Sequence, residues 1–124
     1  MVGIVLVSHS ESVAQSVEGL TKMMAPQAVT AAAGGLEDGG FGTSFERVKA
    51  AVEKVYSPEG VVILVDMGSA VMTTEMVVEA IGKDNVKIAD APFLEGALAA
   101  TVSAQLGSGI EEILETIQVY ENKL

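Results

Sequence analysis

Cysteine is absent from the 124 residues, which excludes disulfides, thiolate nucleophiles and cysteine-based zinc sites. Tryptophan is absent too, and aromatic residues make up only 4%, so stacking platforms for bases or sugars are missing. Histidine occurs once, so any metal cluster would rest largely on carboxylates; neither a metal nor a cofactor is expected. Positive charge is scarce. Seven Lys and Arg stand against 17 Asp and Glu, and the net charge of −10 would be repelled by nucleic-acid backbones and anionic membranes. No apolar run reaches the roughly 18 residues of a membrane span, and the start MVGIVLVSHSES has neither a basic region nor a cleavage site of a targeting segment. A cytoplasmic protein with no nucleic-acid or membrane partner is the expectation.

Hydrophobic residues make up 49%, ample for one packed core, and the length fits a single domain over residues 1–124. Val2 to Val7 is a β-branched run without alternation, as in a strand buried on both faces of a parallel sheet. Val13, Val17, Leu20 and Met24 then repeat with helical spacing, and that helix must stop before Pro26. Gln27 to Ala33 reads as a weaker strand, followed by a glycine-rich loop from Gly34 to Gly42. Thr43 with Glu46 forms a capping box for a second helix striped by Phe45, Val48, Val52 and Val55, and Ser57 to Gly60 turns the chain. Val61 to Val65 is the clearest strand, and a third helix from about Ala70 to Ile81 is closed by Gly82. Val86 to Ala89 is the fourth strand. Pro92 suits the first helical position before Phe93 to Leu106, and Gly107 ends that helix. Ser108 with Glu111 caps a last helix marked by Ile110, Ile113, Leu114 and Ile117. The order βαβαβαβαα predicts an α/β fold, an open, mainly parallel four-stranded sheet with helices on both faces.

In such sheets sites lie at the carboxyl ends of strands, which brings Ser8-His9-Ser10, the glycine loop, Asp66-Met67-Gly68-Ser69 and Asp90-Ala91-Pro92 towards one crevice. His9 is the sole imidazole and directly follows the first strand; a lone histidine is equally often structural. Asp66 ends another strand on the same edge. Its carboxylate either fixes the tautomer of His9, freeing the other ring nitrogen to attack, or simply starts a helix. The N–H groups of Gly68, Ser69 and Ala70 open a helix and suit an anion, unless Ser69 only caps it. Gly39, Gly40, Gly42 and Thr43 offer a second set at the next helix start, or merely a mobile loop.

Sharper motifs fail. Gly35 and Gly40 are followed by Phe41 where a phosphate loop needs Lys, and Ser8 lacks the G-x-S-x-G of a nucleophile elbow. The acidic Glu111, Glu112 and Glu115 read as solvated surface. An imidazole, a carboxylate and anion-binding amides in one crevice suit transient phosphorylation of His9, with Asp66 offsetting the charge on the ring. A receiver-type module phosphorylated on Asp66 would need an acidic pair where Ser8 and His9 stand, and a noncatalytic binding module would leave His9 unmodified.

Val5-Leu6-Val7-Ser8-His9-Ser10 and Val65-Asp66-Met67-Gly68-Ser69-Ala70 resemble the mannose-type enzyme IIA family of the bacterial phosphoenolpyruvate-dependent phosphotransferase system. Ser10 stands where sugar-transporter members usually have Gly, and Gly42-Thr43-Ser44 and Pro92-Phe93-Leu94-Glu95-Gly96-Ala97 are similar to the dihydroxyacetone kinase branch of that family. The resemblance implies a phosphotransferase component in which His9 takes phosphate from phospho-HPr. It implies an acceptor, ADP on the kinase's nucleotide-binding subunit, a homodimer, and a donor that is a separate protein, because no HPr-like domain follows Leu124. Catalysis then falls to His9 and Asp66, and phosphate binding to Ser10, Gly42, Thr43, Gly68, Ser69 and Ala70. The alternative branch, a sugar-transporter IIA domain, would pass phosphate to a IIB domain.

Overall fold

A computed structural model describes residues 1–123, with side chains through Gln118. Nine elements follow in the order β1 (Gly3–Ser8), α1 (Glu11–Met24), β2 (Thr30–Gly34), α2 (Phe45–Val55), β3 (Val61–Val65), α3 (Gly68–Ile81), β4 (Val86–Ile88), α4 (Phe93–Gln105) and α5 (Ile110–Lys123). The strands lie side by side as β2-β1-β3-β4, and every pairing is parallel. This is the open four-stranded α/β sheet that the element order predicts. From β1 the chain crosses to β2 on one side, while β3 lies on the other. The carboxyl ends of β1 and β3 therefore flank the switch point of the sheet, where a crevice opens.

The two central strands are buried along nearly their whole length, as their uninterrupted Val, Ile and Leu runs require. Val5, Val7 and Ile63 pack with Val48, Val52 and Val55 of α2 and Val77 of α3. On the opposite face Ile4, Leu6, Val62 and Leu64 meet Val17 of α1, Ala97, Ala100 and Ala104 of α4, and Ile113 and Ile117 of α5. Small residues bring α4 close to the sheet: a Cβ at Gly96 would lie 3.0 Å from Leu64 Cδ1. A side chain at Gly34, where β2 ends, would run into the Ser10 carbonyl and lie 2.8 Å from Ala14 Cβ, so the glycine loop leaves the sheet tight against the start of α1.

Local details depart from the sequence reading. Helix α1 buries Ala14, Val17 and Thr21, while Val13, Leu20 and Met24 are exposed. The buried stripe is turned by about one residue, because close packing against β2 admits Ala and Thr but leaves bulkier neighbours at the rim. Ser44, not Thr43, caps α2 by accepting from the Arg47 N–H at 3.2 Å, and its own hydroxyl donates to Glu37 of the glycine loop. Ser69 caps nothing; α3 starts at Gly68 after Met67 without a side-chain cap. The first turn of α5 closes from the Ile113 N–H onto the Gly109 carbonyl, one residue beyond the Ser108 expected there. Gly82 does end α3 in the left-handed conformation, at φ 69°. Pro92 stands just before α4 instead of within it. Helix α4 is apolar on both sides, with Leu94 and Leu106 exposed and Leu98 and Val102 half-buried along its outer face. No helix among the described residues is long and apolar enough to cross a membrane.

Candidate active site

The parallel register that sets Val7 beside Val65 places the residues following β1 next to those following β3. The Asp66 N–H extends the ladder by donating to the Val7 carbonyl at 3.1 Å. The Asp66 side chain then collects three donors. Its Oδ2 accepts from the Ser8 hydroxyl at 2.8 Å and from the His9 backbone N–H at 3.0 Å, and its Oδ1 lies 3.0 Å from His9 Nδ1. Partial burial pushes the Asp66 carboxyl up, but the His9 N–H, the His9 ring and the Ser8 hydroxyl together outweigh it and hold the group below its ordinary value. An ionised carboxylate only accepts, so Nδ1 must carry the ring proton. In the neutral ring Nε2 is then the nitrogen with the lone pair, and the Ser69 hydroxyl, 2.7 Å away, donates to it.

The His9 side chain keeps 21% of its surface open, enough for a reacting group to reach Nε2. A cavity of about 420 Å³ opens beside Asp66, Gly68 and Asp90, yet His9 does not line it. The ring is half-buried and sits outside that cavity. Phe41 of the glycine loop and Met67, next in sequence to Asp66, expose apolar side chains.

Of the residues expected around an anion, the structure gathers some and turns others away. The Gly68 and Ser69 N–H groups make no hydrogen bond among the described residues and head α3 beside the ring. The Ala70 N–H instead donates to the Met67 carbonyl at 3.0 Å, and the Gly42 N–H to the His9 carbonyl at 2.8 Å. The Ser10 N–H donates to Ser8 Oγ at 3.0 Å, and Ser10 Oγ caps α1 through the Val13 N–H. The Thr43 hydroxyl donates to Thr73 of α3 at 3.2 Å, tying the glycine loop to that helix. Ser8, which lacks a nucleophile motif and has no role in the sequence reading, is the residue that the structure adds, through its bond to Asp66. Alternation along a strand was the available signal, since a side chain next to an outward His must point inward.

A family model described as EIIA-man, PTS system fructose IIA component, matches residues 3–114. The chain belongs to this family. As an EIIA-man protein it has a phosphotransfer function and an enzymatic role in the phosphotransferase system. One relative, the "PEP-dependent dihydroxyacetone kinase 1, phosphoryl donor subunit DhaM" of Listeria innocua, is 38% identical over 121 residues, covering 98% of this chain and 96% of its own. The corresponding phosphoryl donor subunit DhaM of Escherichia coli is 35% identical, but the match covers 92% of this chain and only 26% of that longer protein. Among solved structures, the unknown-function protein EF1359 superposes with a TM-score of 0.83 at 23% identity over 96% of this chain and 95% of its own, a likeness of fold.

Proposed function

We propose that this EIIA-man chain is the phosphoryl donor subunit of a phosphoenolpyruvate-dependent dihydroxyacetone kinase, carrying its phosphoryl group on Nε2 of His9. The observation that carries the reading is the Asp66–Nδ1 pair, which leaves the lone pair of Nε2 at an open rim beside the start of α3. The named substrate and partner are supported by the DhaM relatives, above all the one from Listeria innocua of matching length.

In the first step the Nε2 lone pair attacks the phosphorus of phosphohistidine on HPr. The P–N bond to the donor ring breaks, and its electron pair returns to that ring. His9 keeps its proton on Nδ1 and becomes cationic, a charge that the carboxylate 3.0 Å away offsets. Ser69 turns its hydroxyl from Nε2 to a phosphoryl oxygen, and the Gly68 and Ser69 N–H groups supply the positive end of α3. In the second step a β-phosphate oxygen of ADP, bound on the kinase's nucleotide-binding subunit, takes the phosphoryl group and the electron pair returns to Nε2. The ATP so formed phosphorylates dihydroxyacetone. Gly42, Thr43 and Ala70 serve this reading as framework, because a donor of each is engaged within the protein, and Ser10 starts α1 by accepting from the Val13 N–H. Phosphorylation of Asp66 is disfavoured, both its oxygens being occupied. A single phosphotransfer domain, a cytoplasmic location and a homodimer joined through the outer face of α4 belong to the same reading.

The test is incubation with phosphoenolpyruvate, enzyme I and HPr, followed by intact mass. One acid-labile, base-stable phosphoryl group is expected, lost in His9→Ala. The phosphorylated protein is then offered separately to the ADP-loaded kinase subunit and to a IIB domain. Labelling of His9→Ala refutes the site, and discharge to IIB alone refutes the kinase assignment in favour of a sugar-transporter IIA.

A further inference from the structure

We infer that Ser8 is a positioning residue for phosphoryl transfer: its buried hydroxyl, held between the Ser10 N–H and the Asp66 carboxylate, aims Asp66 so that His9 keeps its proton on Nδ1 and its lone pair on Nε2. This rests on the reading of His9 as the phosphorylated residue.

Ser8 is the last residue of β1 and is fully buried. Because side chains alternate along a strand, His9 faces the crevice while Ser8 faces the interior, and the two reach Asp66 from different sides. The direction of each hydrogen bond at Ser8 is settled by its neighbours. The Ser10 N–H, 3.0 Å away, can only donate, so it occupies a lone pair of Oγ. The ionised carboxylate can only accept, so the single hydroxyl proton points at Asp66 Oδ2, 2.8 Å away. Oδ2 thus receives donors from two successive residues, the Ser8 hydroxyl and the His9 N–H at 3.0 Å. With that oxygen clamped twice, Oδ1 has one direction left, towards Nδ1.

Removing the hydroxyl leaves Oδ2 with one donor and the Ser10 N–H with none, at the bend that carries His9. The carboxylate can then pivot towards water, and the ring loses what holds its proton on Nδ1. The consequence is largest during transfer, when growing positive charge on the ring pulls on the carboxylate. Ser8 itself touches neither donor nor phosphoryl group and acts only through Asp66.

The experiment compares wild type, Ser8→Ala and Ser8→Thr as full chains, by single-turnover phosphorylation from phospho-HPr and by nitrogen NMR of the His9 ring. Ser8→Ala should accept phosphate about 10- to 100-fold more slowly, the effect of losing a hydrogen bond to a charged group. Its KM for phospho-HPr should stay within about twofold, since Ser8 is not at the surface. The ring spectrum should change from a lone pair on Nε2 to a mixture of tautomers, which a loss of stability alone would not produce. Ser8→Thr keeps Oγ and should restore both rate and spectrum; Ser8→Cys, isosteric but a weak donor, takes the place of Ser8→Ala if the latter does not fold. A folded Ser8→Ala or Ser8→Cys with the wild-type ring spectrum and a rate within about threefold of wild type overturns the inference. The ring spectra need no donor protein, so a wild type that takes no phosphate refutes the phosphohistidine reading while the spectra still decide the role of Ser8.

Discussion

Replacing Asp66 by Asn keeps the shape of the side chain and removes its charge, and the contacts show why that small change should be severe. In the native protein one carboxylate oxygen satisfies two donors, the Ser8 hydroxyl and the His9 N–H. Asn has a single carbonyl oxygen, and the two donors will hold it in that place. Its NH₂ group then faces Nδ1, which must become an acceptor, and the ring proton moves to Nε2, the nitrogen that has to attack. The electrostatic loss adds to this. Unit charges 3.0 Å apart attract by about 5 kcal/mol at an effective dielectric of about 20, a value suited to a site that is partly open to water. With about half of the ring charge developed in the transition state, roughly 2.5 to 3 kcal/mol is at stake, or about 100-fold in rate. Adding the tautomer penalty, Asp66→Asn should accept phosphate about 10²–10³-fold more slowly, and Asp66→Ala should fall in the same range. The assay is rapid-quench phosphorylation by phospho-HPr, read by intact mass, with circular dichroism to confirm folding. A folded Asp66→Asn protein phosphorylated within about threefold of the wild-type rate would refute the reasoning and reduce Asp66 to a residue that starts a helix.

The same carboxylate predicts an acid limb of stability. Its folded pKa lies below its ordinary value, so its contribution is present above about pH 4 and disappears as the pH falls through the folded pKa; urea unfolding should show the gap between wild type and Asp66→Asn shrinking as the pH is lowered below about 4, and a gap that stays constant into the acid range contradicts the assignment. Ser44→Ala should cost about 1 kcal/mol in chemical denaturation, because Ser44 caps α2 through the Arg47 N–H, whereas Thr43→Ala should leave that helix cap intact. Val102→Glu, on the half-buried outer face of α4, should convert the proposed dimer into monomers in sedimentation at micromolar concentration without unfolding the chain; an unchanged dimer places the contact elsewhere, and a monomeric wild type refutes the dimer.

The sequence alone determined the elements whose patterning has one solution. Val2 to Val7 and Val61 to Val65 are too apolar to be anything but strands buried on both faces, and the order of elements between them leaves little choice but a parallel sheet. Position did the same for His9 and Asp66, since residues directly after neighbouring parallel strands must emerge at one edge. Where two readings cost nearly the same locally, tertiary packing chose. Thr43 and Ser44 are both able to cap α2, and the partners Thr73 and Glu37, contributed by other elements, decided which one does. The buried stripe of α1 follows the small residues because Gly34 and Ala14 come close, a distance that no helical period encodes. The chemistry was decided last of all. That Nδ1 holds the proton, that Ser69 faces Nε2 and that Ser8 lies against the carboxylate depend on hydrogen bonds between residues 57 to 60 apart, brought together by the register of β1 on β3.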